Sequence, residues 1–241
     1  LVVLPELASI DYARAAFERL SELAEPLDGA SWRCWSAVAR RHDCHVAYGF
    51  ARSFDAGGFR ISIGVVGPDG ALVGVYDKLH LAQYGASMEK EYFDRGDSLC
   101  VFEVRGLRVA PIICYDIRIP ELARALVLDH GVDVILHCGA YFRDESFATW
   151  HPFATTRALE NQVFLLSLNR AGRDWGASGL FLPWMDETTG PILFDPAAEE
   201  LRHLPVDRRA LEDARRAYTF LKDRHASYAM PLSRVRGPDE Q

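Results

Sequence analysis

Residues 112–126, IICYDIRIPELARAL, change character twice in a short span. An apolar, strand-like run ends at Cys114, a polar turn follows, and a helical pattern begins at Pro120. Proline fits the first helical turn because its fixed φ suits a helix and its missing N–H has no partner to lose there. Gly131, just past PELARALVLDH, supplies the matching stop. The cysteine thus stands at a strand exit and ahead of a helix N-terminus, whose dipole would favour a thiolate if it points at the sulfur. Such a thiol is either a small buried hydrophobe or a nucleophile held at the mouth of a sheet, and the rest of the chain has to decide.

The strand–helix unit recurs. VDVILHCG (132–139) is a near-continuous apolar run of the kind buried on both faces, FATTRALENQ (153–162) reads as a helix, and VFLLSLNRAG (163–172) as the next strand. Upstream, LVVLPE reads as a short buried strand, and residues 11–24 place Tyr12, Ala16, Leu20 and Leu23 at helical spacing. SWRCWSAVARRH predicts a helix capped by Ser31, followed by the strand HVAYGFA. FRISIGVVGPDGALVGVYDK (59–78) predicts a hairpin around a PDG turn, and SLCVFEVRGLRVAPIICY (98–115) a second hairpin turning at Arg105-Gly106. A charged amphipathic helix spans 207–225, ahead of a tail over 226–241. Helices alternating with strands and hairpins imply an α/β protein with sheets covered by helices and some antiparallel pairing. With no linker or low-complexity tract, residues 1–241 read as a single domain.

Composition narrows the function. Net charge is −7 with both signs interspersed, so no basic stripe is available for nucleic acid or an anionic membrane. No apolar stretch approaches the ~20 residues of a membrane span. The five cysteines are irregularly spaced without a CxxC pair, which fits a reduced, cytoplasmic protein better than a disulfide scaffold or a thiol redox protein. His137 and Cys138 are adjacent on a strand and so point to opposite faces, a poor start for a metal site.

Active sites of helix-covered sheets gather at strand ends. Three reactive side chains follow apolar runs: Glu6 after LVVLP, Lys78 after VGVYD and Cys114 after VAPII. A thiol of ordinary pKa, about 8.5, is mostly protonated at neutral pH and needs a base or a nearby cation. Glu6 is placed to take the proton and return it to a departing amine, Lys78 to hold thiolate and oxyanion, and the Tyr115 backbone N–H to complete the oxyanion site. Taken one at a time, each residue also reads as packing, a loop carboxylate or a solvated turn lysine.

The segments LPE (4–6), YDKLHL (76–81) and ICYDIRIPELAR (113–124) together resemble the nitrilase superfamily of carbon–nitrogen hydrolases. MEKEYFDRGD (88–97) and TRALENQVFLLSLNRAG (156–172) are similar to further segments of that family, so the resemblance runs from the first residue to about residue 225. It implies a four-layer α-β-β-α sandwich of two mixed sheets flanked by helices, assembled as a homodimer or higher homo-oligomer. Position by position it implies Glu6 as general base, Lys78 as oxyanion-stabilising lysine, Cys114 as nucleophile and Glu89, rather than the nearby Glu91, as a second glutamate that positions lysine or substrate. It places Tyr141 and Phe142 in the amide pocket. The implied reaction converts a small amide to carboxylic acid and ammonia through a cysteine thioester, with no cofactor and no metal.

The residues after the cysteine, YDIRIPE, look more like the amidase branch than the nitrile branch, whereas EKEYFDRGD is reminiscent of N-carbamoyl amino-acid hydrolases. A small-molecule amide or ω-amide therefore leads, with N-carbamoyl compounds and nitriles as alternatives. A catalytically silent binding member of the family is the alternative from another class, and the filled Glu-Lys-Cys positions count against it. The chain departs from the family in lacking a strand and helix ahead of the glutamate strand, so a missing upstream segment is expected. The 175–191 stretch, WGASG followed by PWMDETTGP, also departs from the family pattern.

Overall fold

The computed structural model describes residues 1–54, 57–85 and 87–232, so the end of the expected tail lies outside the described residues. The strand patterns fall into two sheets. The first contains β1 (Val2–Val3), β2 (Val46–Phe54), β3 (Gly58–Val66) and β4 (Leu72–Asp77) in that spatial order. β1 pairs parallel with β2, and the other pairings are antiparallel. The second sheet contains β5 (Phe102–Val104), β6 (Leu107–Ile113), β7 (Val134–Cys138), β8 (Phe164–Leu168), β9 (Gly179–Phe181) and β10 (Ile192–Leu193), in the spatial order β10-β9-β8-β7-β6-β5. Its centre, β6-β7-β8, is parallel, and its outer pairings are antiparallel. Both hairpins lie where the sequence placed them. Arg105 and Gly106 both have positive φ (50° and 79°), the backbone a tight hairpin turn needs to match strand twist.

The helices are α1 (Arg14–Phe17), α2 (Leu20–Leu23), α3 (Ala30–His42), α4 (Pro120–Leu128), α5 (Trp150–Asn161), α6 (Arg208–Ala217) and α7 (Phe220–Asp223). Side chains alternate across a strand, and β2 uses both of its faces. Val46, Tyr48 and Phe50 meet Ala39, Val38 and Trp35 of α3, while Ala47 and Ala51 join the core between the sheets. Ile61, Ile63 and Val65 of β3 enter that same core with Val109, Ile112 and Ile113 of β6. On the far side α5 lies over β8 and β9, with α4 packed against it. The order is helix, sheet, sheet, helices, the four-layer sandwich. No helix among the described residues is long and apolar enough to cross a membrane.

Three predicted elements differ. Residues 11–24 form two single turns rather than one helix, with Arg19 leaving the helical region between them (φ −111°, ψ 22°). Burying Phe17 and Leu20 in the core and sending Tyr12 ahead of α1 to Glu89 outweighs a continuous ladder, because short helices gain little stability of their own. The 207–225 helix splits because Gln162 Nε2 donates to the carbonyls of Ala214 (3.1 Å) and Tyr218 (2.7 Å), and Tyr218, extended, stacks on Trp184. Ser31 is not the N-cap of α3. Gly29 is, and the helix start is capped from a distance by Glu25, whose carboxylate accepts from Ser31 N (2.6 Å) and Ser31 Oγ (2.7 Å).

Glu25→Ala removes that cap and a negative charge at the helix N-terminus, so it is expected to cost about 1 kcal/mol. The check is a lowered urea midpoint with unchanged denaturant slope. An unshifted midpoint rejects the remote cap.

Candidate active site

Glu6 sits where the chain leaves β1 and crosses the face of β2. The crossing is close enough that a Cβ at Gly49 would collide with the Pro5 carbonyl oxygen and the Leu7 nitrogen. Beyond Glu6, Leu7 takes a positive φ of 49°, and Arg170 Nη1 donates to the carbonyls of Leu7 (3.2 Å) and Ile10 (3.1 Å). These contacts turn the carboxylate inward. Lys78 follows β4, its backbone N–H on Ile61 O (2.8 Å) and its carbonyl accepting from Gly96 (2.9 Å). Cys114 follows β6 and opens a 3-10 turn over Cys114–Arg118.

The structure brings Glu6, Lys78 and Glu89 into one fully buried cluster, all at 0% exposure. Lys78 Nζ lies 2.7 Å from Glu6 Oε1 and 2.7 Å from Glu89 Oε1. Glu89 is also held by the Tyr12 hydroxyl on Oε1 (2.7 Å) and by Ala82 N on Oε2 (2.8 Å). Glu6 Oε2, by contrast, is buried without a hydrogen-bond partner among the described residues. The two carboxylates are therefore inequivalent: both oxygens of Glu89 are hydrogen-bonded, and one of Glu6 is not. Glu91 lies outside the cluster, paired with Arg14 at the surface (2.9 Å).

Electrostatics follow the burial. Desolvation pushes the Glu6 carboxyl up to about 7, with Lys78 opposing the rise and Glu89 adding to it. Burial alone would lower the Lys78 ammonium, but the two carboxylates outweigh it and hold its pKa well above the ordinary lysine value. Burial pushes the Cys114 thiol up, and Glu6 adds to that; Lys78 pulls the other way. The resting sulfur is thus a thiol and needs a base to ionise it.

Cys114 has φ 45°, a left-handed conformation that costs a non-glycine residue about 1–2 kcal/mol. Asp116 braces the bend. Its Oδ2 accepts from Ile113 N (2.9 Å) and the Tyr76 hydroxyl (2.7 Å), and its Oδ1 from His80 N (3.0 Å) and Nδ1 (2.7 Å). One carboxylate so ties the Cys114 turn to the strand end that carries Lys78. The helix-dipole expectation needs correction. The 3-10 turn separates Cys114 from Pro120, so the N–H groups following the sulfur belong to that turn and not to α4.

Tyr141 and Phe142 part company. Phe142 is exposed and edge-on to Trp175. Tyr141 is buried, stacked on Trp150 at 4.8 Å, and its hydroxyl donates to the Cys114 carbonyl (2.9 Å), so it faces the Cys114 backbone. Sequence reasoning missed Tyr12, Asp116, His137 and Ser167 as partners of the site. Only Asp116, two residues past the cysteine in a turn, carried a local signal, since aspartate commonly accepts backbone N–H groups there.

Residues 1–202 match the model of the carbon-nitrogen hydrolase family. Among curated relatives, an (R)-stereoselective amidase from Pseudomonas sp is 34% identical over 229 residues, covering 93% of this chain and 79% of that protein. The omega-amidase NIT2 of Danio rerio is 29% identical, covering 93% and 82%. A solved carbon-nitrogen hydrolase from Helicobacter pylori G27 superposes with a TM-score of 0.81 at 23% identity, covering 92% of this chain and 82% of that one. The chain belongs to the carbon-nitrogen hydrolase family, and it is an enzyme of that class.

The buried cluster holds two carboxylates and one ammonium, so Glu6→Gln removes an unbalanced charge. The Glu6 carboxyl keeps its proton up to about 7 in the folded protein but only to about 4.5 when unfolded. Wild-type stability is therefore lost progressively as pH rises between those values, whereas the glutamine variant escapes this loss. Urea midpoints of Glu6→Gln relative to wild type are expected to be higher at about pH 8 than at about pH 5. A constant difference would remove the raised carboxyl.

Proposed function

We propose that this enzyme hydrolyses the C–N bond of a small non-peptide amide, with Cys114 as nucleophile, Glu6 as general base and acid, and Lys78 with the Tyr115 N–H as oxyanion donors. One observation carries the reading: Lys78 bridges Glu6 and Glu89 while Glu6 keeps one buried oxygen without a partner. That oxygen is a proton acceptor in a site whose thiol is protonated at rest. An ammonium has three N–H donors, and two are used on the carboxylates, which leaves the third for an oxyanion.

Glu6 takes the thiol proton as the sulfur attacks the amide carbon, and the carbonyl electrons move onto oxygen. The oxyanion collapses, the C–N bond breaks, and nitrogen leaves as an amine or ammonia with the proton from Glu6. A thioester remains. Water then gives a proton to Glu6 and attacks the same carbon. Collapse breaks the C–S bond, sulfur recovers the proton, and the carboxylic acid departs. Glu89, with both oxygens already hydrogen-bonded, positions Lys78, whereas the carboxylate oxygen without a partner is on Glu6. The relatives named amidase and omega-amidase favour short amides and ω-amides as the substrate class.

Ammonia and acid release across propionamide, succinamate, an N-carbamoyl amino acid and propionitrile tests this, with turnover expected on the two amides. Cys114→Ala, Glu6→Gln and Lys78→Ala are each expected to lower it by about a thousandfold or more. Unchanged turnover in any variant removes that residue from the mechanism. Because Glu6 must be ionised to accept the proton, kcat/KM is expected to fall as pH drops through about 7. A flat profile down to about pH 5 would exclude Glu6 as the base.

A further inference from the structure

The mechanism above leaves one buried network unused. The Cys114 carbonyl accepts two hydrogen bonds, from His137 Nε2 (2.9 Å) and from the Tyr141 hydroxyl (2.9 Å). His137 Nδ1 lies 2.6 Å from Ser167 Oγ, and Trp150 Nε1 donates to that same oxygen (2.6 Å). His137 and Ser167 are at 0% exposure, on the neighbouring strands β7 and β8, and Trp150 is at 0% on α5.

The direction of every proton follows from donor chemistry. An indole N–H can only donate, so Ser167 Oγ accepts from Trp150, and its own hydrogen goes to His137 Nδ1 once the Cys114 carbonyl, an acceptor only, has placed the imidazole hydrogen on Nε2. Burial lowers the His137 imidazole to about 4, so it is neutral, and Nδ1 is its acceptor. Nε2 then carries the hydrogen and donates it to the Cys114 carbonyl, which can only accept. The other tautomer would set two acceptors 2.9 Å apart.

That carbonyl belongs to the same peptide unit as the Tyr115 N–H. In a planar trans peptide the two bonds point in opposite directions, so fixing one fixes the other. Two donors on the oxygen also polarise the unit and strengthen its N–H as a donor. Resting on the reading of Cys114 as nucleophile, we propose that Trp150, Ser167, His137 and Tyr141 form a relay that aims and strengthens the Tyr115 N–H as the oxyanion donor. These are positioning residues: they act on the oxyanion through the 114–115 peptide. The relay also holds Cys114 in its left-handed backbone from the side opposite Asp116's hold on Ile113 N.

Two reagents separate this role from support of the thiol or the fold. p-Nitrophenyl acetate acylates a thiol through an oxyanion and releases p-nitrophenolate; iodoacetamide alkylates it by displacement of iodide, with no oxyanion. Tyr141→Phe keeps the stack on Trp150 and removes only the hydroxyl, and His137→Leu removes the other donor. Measured against Cys114→Ala as the background of the other cysteines, each variant is expected to slow the acylation burst about 10- to 100-fold and leave alkylation within about twofold. A burst within about twofold of wild type overturns the relay, as does equal slowing with both reagents, which would mean structural support alone. If Cys114→Ala itself keeps the full burst and alkylation, the nucleophile assignment falls, and the relay with it.

Discussion

The ammonium of Lys78, shared at 2.7 Å by two carboxylates and sealed from water, is the interaction on which the site depends. Burying three charges is expensive, and removing the ammonium would leave two carboxylates unpaired in low dielectric, a kind of loss that commonly costs about 3–5 kcal/mol. The cluster therefore exists only where geometry is enforced from several directions. β4 delivers the lysine, the segment after β1 delivers Glu6, and the 3-10 turn at Glu89–Glu91 delivers the second carboxylate. Tyr12 and Ala82 complete the shell of Glu89 and leave Glu6 as the sole carboxylate with an open oxygen.

Around that charge centre the fold keeps its strain at Cys114. Cys114 adopts a backbone region that its side chain disfavours, and it persists because both sides are over-determined. Asp116 gathers Ile113, Tyr76 and His80 on one side, and His137 and Tyr141 hold the Cys114 carbonyl on the other. A bend made in this way carries the thiol out of the β6 ladder while the peptide that follows is locked.

Much of the architecture was legible in the chain because it rests on local chemistry. The apolar runs of β6, β7 and β8, Pro120 at a helix start and the Arg105-Gly106 turn each declare themselves within a few residues. Glu6, Lys78 and Cys114 stood out because a reactive side chain directly after an apolar run is unusual, and Glu89 because of its motif. The failures share a cause. Ser31 looked like a cap, but a carboxylate six residues earlier does the work; residues 11–24 looked like one helix, but Tyr12 belongs to Glu89. In each case a contact made by the folded chain overrode a local preference worth less.

From the sequence alone came the succession of strands and helices, since periodicity and turn chemistry are properties of neighbouring residues, and short motifs carried the resemblance that implied the four-layer fold and the candidate site residues. Only the tertiary structure decided which carboxylate keeps a free oxygen, how the cysteine is bent out of its strand, and that Tyr141 and His137 converge on its carbonyl. The contacts of Tyr12 with Glu89, of Glu6 with Lys78 and of His137 and Tyr141 with Cys114 join partners 23 to 77 positions apart. Burial then raises the proton affinities of Glu6 and Cys114, while the two carboxylates raise that of Lys78 against it, and both effects belong to the packed sheets and to no single segment.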